Sequence, residues 1–438
     1  MNSRCFSAAC AAAVWLSWMP IDAAPQALSG GERAAVAYVD AHADEAIALL
    51  ERVVNINSGT MNLEGVRRVG RVFEAEFKSL AFETEWVDGS KWQRAGHLIA
   101  RHPGKSAKVL LIGHLDTVFE ADSPFQAFER LDASTAKGPG IMDMKGGDVI
   151  IVQTLKALKA AGLLDAMNIT VVMTGDEEAA GRPLKMARAA LVEAAQGARV
   201  AIGFEDGDGD PTHAVIARRG TTGWDLTVTG TPGHSSQIFT EALGAGAIYE
   251  AARILDAFRT QLREPYLTYN PGVIVGGTTT EYDAALSRGT GFGKSNVIAE
   301  HARVTGDLRA LSPEQFERAK AKMQQIVSAS LPKTKAEIVF DEGYPPLAPT
   351  DGNERLLTMF DRASRDLGLG GVTAVSPDKA GAADISFIAG IPAMCMDAAG
   401  MKGRDGHTVN ETADLPVLAV QAKRMAVLLA RLAQDGGR

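Results

Sequence analysis

Short continuous apolar runs alternate with stretches of helical periodicity along the first half of the chain. Val109-Leu-Leu-Ile112, Ile169-Thr-Val-Val-Met173 and Val200-Ala-Ile-Gly203 have the length and apolar density of strands buried on both faces. Around them, Glu32 to Ile56, Asp148 to Leu164 and Pro183 to Ala195 read as helices. That alternation predicts an α/β domain with a mostly parallel central sheet covered on both sides. In such sheets, ligands bind beyond the carboxyl ends of the strands.

From about Gly220 the pattern changes. Trp224 to Val228 alternates like a half-buried strand, Glu241 to Leu262 reads as a long helix, and Val273 to Val275 as a short strand. Asn296 to Leu311 follows as a longer strand. Ser312-Pro-Glu-Gln315 opens a helix from Pro313 to Ser330 with a capping box, and Ala336 to Phe340 closes the series. Strand, helix, two strands, helix, strand is the order of a ferredoxin-like α+β unit, so residues 219–342 are read as an inserted domain. The catalytic segments are then 24–218 and 343–438. Pro345, Pro346 and Pro349 stiffen the re-entry, and a helix from Pro416 to Gln434 ends the fold.

A chain of 438 residues exceeds the size at which one core keeps growing, in keeping with two domains. A net charge of -8 argues against nucleic acid as a partner. Residues 1–23 read as a secretory signal: Arg4 precedes the apolar stretch Phe6 to Trp18, and small residues follow at Ala23-Ala24. The stretch is short against the ~20 residues a bilayer requires, so no membrane partner is expected and the mature protein is expected in the periplasm or outside the cell. Cys5 and Cys10 fall inside the signal, which leaves Cys395 alone in an apolar run as an inert core thiol.

The candidate chemistry sits where the apolar runs end. His114 in His114-Leu-Asp116 closes one run, and Asp116 is placed to orient that imidazole. Asp143 lies in a glycine-dense turn ahead of a helix, where it either approaches an ion or caps the helix; Asp148 is the better cap. Glu177 and Glu178 follow the Ile169 to Met173 run, so one can bind metal while the other faces substrate. Glu205 repeats the arrangement one strand later, in Glu205-Asp-Gly-Asp-Gly-Asp210, which lacks the twelfth-position glutamate of a calcium loop. His407 follows the flexible turn Gly403-Arg-Asp-Gly406. Imidazoles and carboxylates with one spare carboxylate are what a hydrolytic metal site needs: ligands, an open position for water, and a base that is not a ligand.

His114-x-Asp116, Asp143, Glu177-Glu178, Glu205 and His407, in this order, resemble the zinc exopeptidase and deacylase family. Its members include bacterial glutamate carboxypeptidase, acetylornithine deacetylase, succinyl-diaminopimelate desuccinylase and aminoacylase. The resemblance covers essentially the whole mature chain. It implies a zinc-exopeptidase catalytic domain with an inserted lid and dimerisation domain, hence a homodimer. It implies two Zn2+ per subunit, one held by His114 and Glu205 and the other by Glu178 and His407, with Asp143 bridging. Glu177 would serve as base and then acid, and the bond Asp143-Met144 would be cis. In the lid, Gly233-His-Ser-Ser236 resembles the motif whose histidine, here His234, donates to the developing oxyanion of a neighbouring subunit. Asn296 and Arg309 match residues that bind the substrate's carboxylate end. The further arginine with which the folate-cleaving members grip glutamate has no placed counterpart, since the re-entry stretch offers Tyr344 instead.

These readings converge on an exported dizinc metallohydrolase that removes a C-terminal amino acid from small peptides or N-acyl amino acids. Two alternatives stand beside it: an N-acyl-amino-acid deacylase, and, from a different class, a non-catalytic binding protein with a degenerate site. Against the second, no ligand position and no base position has been lost.

Overall fold

The computed structural model describes residues 26–284 and 286–435. The expected signal segment, with Cys5 and Cys10, lies outside the described residues. Among the described residues, no helix is long and apolar enough to cross a membrane.

The central sheet has six strands in the order Glu83–Asp88, Gly96–His102, Ile169–Thr174, Lys108–His114, Ala198–Gly203 and Met394–Met396. The last four run parallel, and the first two add an antiparallel edge. The apolar runs are continuous because both faces are covered. Val109 and Leu111 point into the core beneath the helices Gly146–Ala160 and Leu415–Gln434, whereas Leu110 and Ile112 meet Leu191 and Ile388 on the other side. Cys395 is buried in that second core.

Two expected helices are each broken in two, and a third starts later than expected. Glu32 to Ile56 is two helices, Gly30–Ala41 and Ala43–Val54, broken at His42, whose ring stacks on Tyr38. Pro183 to Ala195 is likewise Leu184–Ala187 and Ala189–Ala195, and Arg188 at the break sends its guanidinium into a buried ion-pair network. The long lid helix is Gly246–Gln261, since positive φ at Gly244 and Gly246 keeps the preceding residues in a turn. The helices Leu63–Ser79 and Asp351–Asp366 complete the first core; each opens on a side-chain cap, Asn62 and Thr350.

The inserted unit is a four-stranded antiparallel sheet in the order Thr268–Gly277, His301–Ala310, Gly220–Gly230, Thr334–Phe340, the arrangement of a split βαβ fold. Its helices Gly246–Gln261 and Pro313–Ser328 bury a separate core around Trp224, Phe258 and Met323. Asn296 precedes the strand it was expected to start, which begins at His301. A hairpin, Thr279–Asp283 with Arg288–Phe292, extends the unit.

Candidate metal centre

Three of the five expected ligands, and the expected base, sit at the carboxyl edge of the parallel strands. His114 is the last residue of its strand, and Glu177, Glu178 and Glu205 follow theirs by a few residues. His407 arrives differently. The short strands Gly403–Arg404 and Thr412–Asp414 pair with each other, and the second pairs with Thr135–Lys137, so a small sheet pins the His407 loop beside the Asp143 turn. His407 itself has φ of 62°, in the left-handed region that non-glycine residues seldom occupy.

Two trios result, and they share one residue. His114, Asp143 and Glu205 form the first; Asp143, Glu178 and His407 form the second, with the candidate ligand atoms of each trio within 4.8 Å of one another. The two oxygens of Asp143 divide between them. His114 Nε2 is 3.1 Å from Oδ1, and His407 Nε2 is 3.0 Å from Oδ2. Glu205 comes to 3.7 Å from His114 Nε2, and Glu178 to 3.2 Å from His407 Nε2. Glu178 Oε1 is buried with no hydrogen-bond partner, an orphan acceptor that a cation would satisfy. The donor set, two imidazoles and three carboxylates with one carboxylate facing both groups, fits a pair of divalent ions. The peptide bond Asp143-Met144 is cis.

Asp116 fastens three parts of the site together. Its carboxylate accepts hydrogen bonds from the backbone N–H groups of Glu177 and Glu178, at 3.0 and 3.1 Å, and from Thr60 Oγ1 at 2.6 Å. One oxygen also lies 3.5 Å from His114 Nδ1. Glu177 lines the pocket, where burial pushes its pKa well above the ordinary range against the opposing pull of His114. Such a carboxylate is a stronger proton acceptor than a solvated one. Glu178 lines the same pocket, so both glutamates face it. The pocket has a volume of about 350 Å³.

The other expected residues are elsewhere. The Tyr344 hydroxyl donates to the Glu177 carbonyl at 2.9 Å and accepts from Arg188 at 3.1 Å, so it braces the segment behind the pocket. His234 and Asn296 adjoin each other in the lid, where Ser235 N donates to the Asn296 carbonyl. Arg309 is part-exposed on the lid sheet with its Nε on Asp307 at 2.9 Å. None of these four belongs to the pocket lining. Asp148 makes no capping hydrogen bond; it is buried in the first turn of its helix, close behind Gly113.

Three supports were not read from the sequence. Glu411 accepts from the backbone N–H groups of Gly140, Met142 and Asp143, which fixes the turn that carries the shared ligand. Its signal was faint: a carboxylate four residues after His407. Asp397 accepts from the Glu205 N–H and pairs with Arg218 at 2.9 Å. Arg188 joins Asp176 and Asp384, each at 2.6 Å, beneath Glu177.

A parallel sheet with a two-centre carboxylate and imidazole site at its carboxyl edge, and an inserted split-βαβ unit, defines a metallopeptidase class. The chain belongs to peptidase family M20/M25/M40, whose model matches residues 110–431. It is 26% identical over 394 residues to carboxypeptidase G2 of Pseudomonas sp. (strain RS-16), covering 89% of each chain. Among solved structures it resembles an aminopeptidase from Bacillus cereus, with a TM-score of 0.73, 19% identity, and coverage of 89% of this chain and 99% of that one. A dinuclear metal binding peptidase of the M20 family from Bacillus subtilis superposes with a TM-score of 0.61 at 15% identity, over 90% of this chain and 99% of that one. The chain is therefore a metallopeptidase-family hydrolase.

Proposed function

We propose that the protein is an exported dizinc carboxypeptidase that removes a C-terminal amino acid from small peptides or N-acyl amino acids. One observation carries the reading: Asp143 is shared by both trios while Glu177, a member of neither, faces the same pocket. His114 and Glu205 would hold one zinc, Glu178 and His407 the other, and Asp143 both. Bound there, the two ions supply Lewis-acid polarisation of the scissile carbonyl and an acidified water.

The chain's own residues do the rest. Glu177 takes the proton of the attacking water and returns it to the leaving amine. Asp116 and Tyr344 hold its backbone N–H and carbonyl, which fixes the point from which the carboxylate reaches into the pocket. The family relative carboxypeptidase G2 supports cleavage at a C-terminal residue. N-acyl-amino-acid deacylation is the second reading, supported by 29% identity over 214 residues to acetylornithine deacetylase of Pasteurella multocida (strain Pm70).

A homodimer through the lid belongs to the same proposal. Thr268–Gly277 is an edge strand, and Ile248, Tyr249, Ile274 and Phe292 expose apolar surface on that domain. His234 would then donate to the oxyanion in the partner's site, and Arg309 and Asn296 would hold the substrate carboxylate. A hydrolysis screen over dipeptides, N-acyl amino acids and folate analogues tests the reading. Turnover of substrates with a free C-terminal carboxylate, and not of their C-terminal amides, is expected. Equal turnover of the amides would contradict carboxypeptidase action.

A further inference from the structure

A cavity of about 510 Å³ lies wholly within the inserted unit and shares no lining residue with the metal pocket. Its size falls in the range of about 300–1,000 Å³ typical of small-molecule sites. It opens between the second half of the helix Gly246–Gln261, which supplies Leu255, Phe258 and Arg259, and the edge strand Thr268–Gly277, which supplies Tyr269 and Pro271.

The sequence keeps this space open and gives it a fixed floor. Gly306 faces Trp224 on one neighbouring strand and Pro271 on the other. A Cβ at position 306 would lie 2.4 Å from the Trp224 ring, so the indole lies across that glycine toward the edge strand. The register shift between Pro271 and Val273 breaks the edge strand's alternation at the same place. Trp224 donates its ring N–H to the Asp307 carbonyl at 3.0 Å and meets Phe258 edge to face, with ring centroids 6.0 Å apart. Both rings are almost completely buried, and the floor they form carries no unsatisfied polar atom.

The mouth, by contrast, is cationic. Arg259 and Arg263 line the cavity, and Asp256 is the one carboxylate among its lining residues. Arg259 uses Nε, at 3.0 Å, and Nη2, at 2.8 Å, on a single oxygen of Asp256. Arg263 donates only Nε, to the Arg259 carbonyl at 3.1 Å, and makes no ion pair among the described residues. One positive charge among the lining residues is therefore unmatched. Both guanidinium charges reach the Tyr269 hydroxyl, where they oppose the effect of burial.

We propose that this cavity is a binding site for a small aromatic carboxylate, with its ring on the Trp224 and Phe258 floor and its carboxylate at Arg263 and Arg259. Aromatic rings pack edge to face or offset on such a floor, and a guanidinium matches a carboxylate through paired N–H groups. A cation would meet the charge at the mouth with repulsion, and a neutral polar ligand would leave that charge unmatched. The competing occupant is a second copy of the chain, because the cavity adjoins the edge strand.

The test titrates naphthalene-2-carboxylate, and its neutral counterpart naphthalene-2-carboxamide, into the full-length zinc-loaded protein by calorimetry. A carboxylate can also bind zinc, so the titrations are repeated on Asp143→Ala protein. Two further variants address the cavity: Leu255→Trp, which fills it, and Arg263→Gln, which changes an exposed side chain and serves if the tryptophan variant fails to fold. The acid should bind about threefold to tenfold more tightly than the amide, and Arg263→Gln should remove most of that preference. Leu255→Trp should abolish binding of the acid, and Asp143→Ala should leave it unchanged. Binding that survives Leu255→Trp but is lost in Asp143→Ala would place the probe on the metals and overturn the proposal. Absence of saturable binding, or equal binding of acid and amide, would overturn it as well. Binding confined to concentrations at which sedimentation shows monomer would identify the second copy as the occupant, again against the proposal.

Discussion

Glu411 holds the backbone of Asp143. One carboxylate oxygen accepts from Met142 N at 2.8 Å and Asp143 N at 3.3 Å, and the other accepts from Gly140 N at 3.3 Å. The shared ligand therefore depends on a residue that is remote from it in sequence and reaches it across the domain. Burial, together with the nearby Asp143 charge, pushes the Glu411 carboxyl up to about 7.

Replacing Glu411 with alanine leaves those N–H groups without an acceptor. Removal of such a support for a metal ligand should weaken metal binding about 10–100-fold. Competition with a chromophoric chelator measures this directly. Unchanged affinity would show that the turn holds its shape without Glu411.

Asp116 makes a different prediction, because it joins a ligand to the base. Asp116→Ala frees the N–H groups of both Glu177 and Glu178 and removes the carboxylate 3.5 Å from His114 Nδ1, while the backbone carbonyl of residue 116, 3.1 Å from that nitrogen, stays. Metal content at saturating zinc should be retained, while kcat falls by about 10–100-fold, since orientation rather than ligand number is lost. A variant with full kcat would argue that Glu177 is positioned by Tyr344 alone.

Glu177→Gln keeps the shape of the pocket wall and removes the proton acceptor. Loss of a general base is expected to reduce kcat by about 10²–10⁴-fold with zinc binding intact. Retention of near wild-type turnover would place the base elsewhere.

Cys395 should be silent to thiol reagents in the native protein. Burial pushes its pKa from 9.0 up to about 12, so the reactive thiolate is scarce at pH 8. The sign for stability follows: a thiol whose folded pKa is raised favours the native state fully below pH 9, and that contribution fades as pH rises toward 12. A disulfide-exchange reagent should label one thiol from Cys395 rapidly in denaturant and slowly without it. Fast labelling of folded protein would contradict a sealed core.

The parallel strands were legible because burial on both faces leaves an unbroken apolar run, as in Val109 to Ile112. Most of the metal-grade side chains were legible for a related reason, since they follow such runs. The lid order could be read from periodicity and from the Ser312 cap. Other features have no local pattern. The small sheet that delivers His407 consists of strands two or three residues long, too short to show alternation. Arg188 with Asp384, and Arg218 with Asp397, are buried charges paired across 196 and 179 positions, and nothing near either partner announces the other. The break at His42 was missed because Tyr38, Val39 and Ala46 continue a helical apolar pattern straight through it. His234, Asn296 and Arg309 lie outside the pocket lining of their own chain, a placement that no local pattern around them announces.

The most direct measurement is metal stoichiometry taken together with hydrolysis on the purified full-length chain. Elemental analysis after zinc loading should give about two equivalents per chain, and Asp143→Ala, which removes the ligand common to both trios, should lower both sites at once and abolish turnover. Chelation should remove metal and activity in parallel. Well under one equivalent in the loaded wild type, or hydrolysis that survives chelation, would contradict the shared two-metal centre.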